Sequence, residues 1–103
     1  MKIMTEEKQD FTSELSDVSP QNYFRVANGT VIKNLKELDM AIENMSEETF
    51  KCHVSEVRND FSSWIRDVIK DDKLANELLQ IKDRRLTQLA ILRRVVEILA
   101  KNG

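Results

Sequence analysis

A chain of 103 residues has the length of one domain and can bury enough apolar surface to fold without disulfides or a structural metal. With 41% hydrophobic and 33% charged residues, two glycines and one proline, its composition is that of a helical globule and excludes the disordered and fibrous classes. The formal charge of −2 is unevenly spread: residues 1–21 sum to −3 and residues 82–101 to +4, which makes the C-terminal stretch the place where an anionic partner would be welcome.

Residues 1–21 are polar and acidic and close on Ser19-Pro20, which predicts a flexible N-terminal arm ahead of a single helical domain over residues 22–103. Within the arm, Phe11, Leu15 and Val18 stand at i, i+4 and i+7, a spacing that allows one amphipathic turn-pair to dock. From Tyr23 to Ile32, aromatic and β-branched residues flank Asn28-Gly29, the signature of a β-hairpin. A type I′ turn is expected there, because Asn tolerates and Gly accepts the positive φ it needs.

About five helices are expected to follow. Asn34 caps the first, with Glu37 as its capping-box partner and Leu35, Leu38, Ile42 and Met45 on one face. Ser46 caps a second, read from Glu47 to Val57 with Phe50, Val54 and Val57 aligned and Cys52 and His53 beside them. Asn59 caps a third, whose Phe61, Trp64, Ile65, Val68 and Ile69 form the most apolar stripe and the expected centre of the core. Asp71 caps a fourth with Leu74, Leu78 and Leu79 inward. A long last helix runs from about Asp83 to Ala100. Its apolar residues form two stripes, Leu86, Leu89, Leu92, Val96 and Leu99 against Ile91, Val95 and Ile98, wider than one small core needs. The fold class is therefore mainly α with one short hairpin near residues 23–32.

The run Phe24-Arg25-Val26, Asn28-Gly29-Thr30, Leu35 to Leu38, Met45 to Phe50, His53-Val54 and Arg58-Asn59-Asp60-Phe61 to Val68 resembles a prokaryotic, largely archaeal, family of small domains of unknown function. The signature is His-Val followed by Lys/Arg-Asn-Asp-Phe-x-x-Trp-Ile. The resemblance implies a fold type and no established activity. The family's pattern has glycine before the acidic residue after the Trp helix, where this chain has Lys70-Asp71-Asp72. A left-handed cap without glycine costs about 1 kcal/mol, so a bend lacking that cap is the expectation here.

The motif Phe50, His53, Asn59, Asp60, Phe61, Trp64 and Ile65 reads as structural, with Asn59 capping, Asp60 favouring the helix N-terminus, His53 bonding locally and the aromatic residues packing inward. Neighbours on a helix point about 100° apart, so Cys52 and His53 are poorly placed to share a metal ion, and no catalytic, metal or cofactor site is expected. Gly29 and Gly103 are the two glycines, so no glycine-rich phosphate loop exists and the usual nucleotide-dependent enzymes are excluded. One cysteine, no apolar leader at the start and no membrane-length apolar run point to the cytoplasm. What remains is a non-enzymatic protein-binding domain, joining another protein or a second copy through the last helix. Its candidate contact residues are Leu86, Ile91, Val95, Ile98, Arg93 and Arg94. The alternative partner is nucleic acid or the ribosome, held by the basic C-terminal segment. Against it, Arg84 with Arg93 and Arg85 with Arg94 stand nine residues apart, on nearly opposite sides of a helix.

Overall fold

The computed structural model describes residues 14–102. A 3-10 turn, Pro20–Asn22, leads into two antiparallel strands, β1 (Phe24–Arg25) and β2 (Val31–Ile32), in the register Phe24 with Ile32 and Arg25 with Val31. Five helices follow among the described residues: α1 (Leu35–Asn44), α2 (Glu47–Lys51), α3 (Asp60–Trp64), α4 (Asp72–Leu79) and α5 (Arg84–Asn102). A π turn, Ile65–Ile69, prolongs α3.

The four expected caps are in place. The side chains of Asn34, Ser46, Asn59 and Asp71 accept hydrogen bonds from the backbone N–H groups of Glu37, Thr49, Ser62 and Leu74, so each helix begins where its first free N–H groups find an acceptor. Glu37 completes the first cap from the other side, accepting from the Lys33 N–H at 2.8 Å. Leu35, Leu38 and Ile42 are buried on the inner face of α1, with Met45 buried just past its end, and α5 packs against this helix. Phe50, Phe61, Trp64 and Ile65 fill the middle of the core, and α4 closes it with Leu74, Ala75 and Leu78.

Several expectations are corrected. The hairpin turn is not type I′, because Gly29 has φ +96° while Asn28 lacks the positive φ that turn requires. The Gly29 N–H donates to the Val26 carbonyl and the Val26 N–H to the Thr30 carbonyl, a three-residue loop that keeps the Val26 side chain in the core. The second helix stops at Lys51 instead of reaching Val57. Val54 pairs with Asn59 in an isolated bridge around a Ser55–Arg58 turn, and this leaves Val57 94% exposed. Leu79 points outward and Ala75 takes the inner position, since only residues three and four apart share the face set by Leu74 and Leu78.

The N-terminal boundary also moves. Leu15 is buried, Val18 packs on the core, and the Val18 N–H donates to the Lys33 carbonyl at 2.8 Å. Asp17 accepts from the Asn34 side chain at 2.7 Å. Residues 14–21 are thus part of the domain, not of an arm, while Phe11 and the rest of residues 1–13 lie outside the described residues.

Lys70 ends the π turn in the left-handed conformation, φ 71° and ψ 33°, with its N–H bonded to the Ile65 carbonyl at 2.8 Å. The left-handed cap is therefore present without glycine, contrary to the bend expected. The chain needs it because Asp71 must turn back at once to cap α4. Lys70→Gly is expected to raise the unfolding free energy by about 0.5–1 kcal/mol, since it removes the Cβ strain at an exposed site and leaves the N–H bond intact. Urea denaturation at constant slope checks it.

Candidate functional site

The His53–Ile65 motif is built around one imidazole. The Ala27 N–H donates to His53 Nε2 at 3.0 Å, so that nitrogen carries a lone pair and the ring proton sits on Nδ1, 3.0 Å from Asp60 Oδ2. The Asp60 N–H also donates to the His53 carbonyl, at 2.9 Å. One side chain thus ties the hairpin loop to the start of α3. Arg58 reaches back to the Cys52 carbonyl and lies 3.3 Å from Asp60 Oδ1, which closes the loop between α2 and α3.

The remaining polar atoms of the motif are used in the same way. Asn59 accepts from Ser62 and donates to the Leu78 carbonyl at 3.0 Å, binding the start of α3 to the end of α4. Ser62 donates to the Ala75 carbonyl, and Trp64 Nε1 donates to the Asn22 carbonyl, both at 2.7 Å. Phe24 lies between His53, Phe61 and Trp64, with ring centroids 5.2–5.9 Å apart, and Phe50 stacks on Phe61 at 5.8 Å. Hairpin, α3 and α4 are locked together here, and the motif's hydrogen-bonding groups bond to other parts of the chain, with Asp60 partly open to solvent. Cys52 is exposed beside it. Among the described residues no group of three or more His, Cys, Asp or Glu side chains is placed to hold a metal ion.

The second constellation centres on Arg94, which sequence reading placed among the contact residues. It turns inward instead: Nε donates to Asp71 Oδ2 at 2.7 Å, Nη2 to Glu14 Oε1 at 3.3 Å and Nη1 to Glu97 Oε1 at 3.3 Å. Burial raises the Glu14 carboxyl to about 7, and the neighbouring Asp71 carboxylate adds to this against the pull of Arg94. Burial works against the Asp71 carboxylate too, but hydrogen bonds from Glu14, the Leu74 N–H and Arg94 outweigh it and hold that group below the usual range. Glu14 and Asp71 were missed as partners of Arg94. With Glu14 and Arg94 80 positions apart, no local pattern signals the contact.

The third feature is the outer face of α5. Leu86, Leu89, Leu92, Val96 and Leu99 are 38–55% exposed, whereas Ile91, Val95 and Ile98 are buried at 0%, 6% and 3%. The contact list read from the sequence is corrected accordingly: Ile91, Val95 and Ile98 belong to the chain's own core, and of its apolar members only Leu86 faces out. Thr87, Gln88 and Ala90 share the buried side, where Gln88 donates to Asp39 of α1 at 2.8 Å. At the start of α5, Arg84 donates to the Ile42 and Glu43 carbonyls that end α1 and to Glu47. Arg93 pairs with Glu77 of α4 at 3.0 Å on the rim of the exposed face. The outer leucines and Val96 were visible as a stripe, but nothing in their spacing separated them from the inner one.

These features define a small helical domain with one two-stranded hairpin, in which a polar and aromatic motif joins the hairpin to α3 and α4 and one helix presents an apolar outer face. The chain belongs to DUF5752, a family of unknown function, which it matches over residues 17–102. No curated protein and no solved structure matches it. No helix among the described residues is long and apolar enough to cross a membrane.

Proposed function

We propose that this chain is a non-enzymatic protein-binding domain that associates through the outer face of α5, with a second copy of itself as partner. The observation that carries the reading is the row of five exposed apolar side chains from Leu86 to Leu99 on a helix whose opposite face is already packed. Their spacing supports self-pairing. Leu86 and Leu99, and likewise Leu89 and Val96, lie equally far on either side of the Leu92–Arg93 step. A two-fold axis at that step in an antiparallel helix pair brings Leu86 against Leu99 and Leu89 against Val96 of the other copy, as a self-complementary contact requires.

One helix face per copy is a small contact, so weak to moderate affinity is expected. Three of the four arginines of α5 favour a protein partner over a phosphate backbone, because Arg84, Arg93 and Arg94 are each paired with carboxylates of this chain. The exposed, unpaired Cys52 suits a reducing compartment, and with the motif's resemblance it supports an archaeal-like cytoplasm as the setting. Sedimentation velocity over micromolar concentrations tests the proposal. A monomer–dimer equilibrium is expected, and a strictly monomeric wild type would refute the homodimer.

A further inference from the structure

The Glu14 carboxyl poses a problem that its surroundings do not solve with hydrogen-bond donors alone. Its Oε2 is buried and meets no donor, while its Oε1 and Asp71 Oδ2 accept from neighbouring nitrogens of the same guanidinium, Nη2 and Nε of Arg94, which sets the two carboxyl groups side by side. Three carboxylates, Glu14, Asp71 and Glu97, surround the single guanidinium of Arg94. With all three ionised the cluster carries two uncompensated negative charges, one on a buried group. A proton on Glu14 supplies the missing O–H donor and removes one of those charges.

Among the described residues, Arg94 is the cation paired with Glu14 and Asp71. Arg93 is engaged with Glu77, Lys73 lines the pocket of about 210 Å³ that Asp71 and Arg94 also line, Lys36 lines the cleft beside Leu15 and Asp17, and Asp17, on Glu14's own segment, bonds to Asn34. The segment carrying Glu14 is also held by the burial of Leu15, the packing of Val18 on the core, the Asp17–Asn34 bond and the Val18 N–H bond to Lys33.

We propose that Glu14 and Asp71 share one proton under Arg94, and that this proton is a pH-operated latch holding residues 14–18 on α4 and α5. Loss of the proton sets two carboxylates against each other at the point where the segment is anchored. Leu15 then leaves the core, and the Val18 N–H loses its acceptor. The opened surface lies beside Leu99, which shares a cleft with Leu15, Asp17 and Asn34, so release enlarges the apolar surface at the end of α5.

The direction with pH follows from the raised Glu14 carboxyl. Its proton contributes stability in full below the ordinary value of 4.5, and that contribution is lost as pH rises through about 7. Asp71, held low, acts oppositely and only in acid. Backbone amide exchange at Val18, corrected for the intrinsic pH dependence of the chemistry, is the readout. It is expected to accelerate about tenfold or more between about pH 5.5 and about pH 8.5 in the wild type, and to stay flat in Glu14→Gln, whose amide donates to Asp71 at any pH. The carboxyl-carbon resonance of Glu14 should titrate near neutrality. A Glu14 midpoint in the ordinary carboxylate range, or equal acceleration at Val18 in Glu14→Gln, would overturn the latch.

Discussion

Glutamate at Ile91 or Val95 is expected to unfold this domain, whereas glutamate at Leu89 or Val96, one or two positions away, is expected to leave it folded. Ile91 is fully buried and Val95 nearly so, on the face of α5 that lies against α1. A carboxylate there loses its hydration with no partner built to receive it. That cost, several kcal/mol even after local relaxation, is comparable to the whole stability of a domain this size, about 5–15 kcal/mol. On the outer face the same carboxylate stays in water, and the helix is disturbed only by a few tenths of a kcal/mol of propensity. Circular dichroism with thermal melting distinguishes the outcomes. A cooperative melt for Ile91→Glu near the wild-type temperature would show that the inner stripe is not core.

Trp64→Ala is expected to cost about 3–5 kcal/mol, the usual range for deleting a buried aromatic side chain. Trp64 is 8% exposed, meets Phe24 edge-on at 5.9 Å, and donates its indole N–H to the Asn22 carbonyl across 42 residues of sequence. Its removal opens a cavity where the hairpin meets α3 and strips the Asn22 carbonyl of its donor. Trp64→Phe keeps most of the apolar filling and isolates the hydrogen bond, worth about 1 kcal/mol. Guanidinium titration measures both. A loss below about 1 kcal/mol for Trp64→Ala would mean that the ring is not integral to the core, and the Asn59–Trp64 run would then become the foremost candidate for binding.

What the sequence disclosed and what it hid divide along the range of the interactions concerned. The caps at Asn34, Ser46, Asn59 and Asp71 were legible because a capping side chain reaches a backbone N–H three residues on, so the whole interaction lies in the sequence read. The hairpin was legible for the same reason, but its turn type was not. The need to keep Val26 in the core moved the turn one residue back, so that Ala27 and Asn28 occupy its centre. The second helix was read too long because its end is dictated from elsewhere: His53 is held by Ala27, 26 residues earlier, and by Asp60.

Lys70 shows the same limit. A residue that disfavours the left-handed region adopts it because α3 and α4 must both pack on the core, and only the packed structure reveals that constraint. The candidate contact face on α5 was half legible. Helical spacing shows that two apolar stripes exist, yet both are regular, and the choice between them is made by α1, not by any residue of α5. Arg94 was read as a surface cation for want of any sign that Asp71 and Glu14 would converge on it.

The inner face of α5 belongs to the fold, and its outer face is the one proposed to meet a second copy. Sedimentation velocity of the Leu89→Glu, Val96→Glu double variant beside the wild type, over the same micromolar range, tests it most directly. The wild type is expected to move toward dimer with concentration and the double variant to stay monomeric with an unchanged melting temperature, because the introduced carboxylates would have to be desolvated in the pair but not in the monomer. A double variant that is folded and still dimerises like the wild type would contradict it.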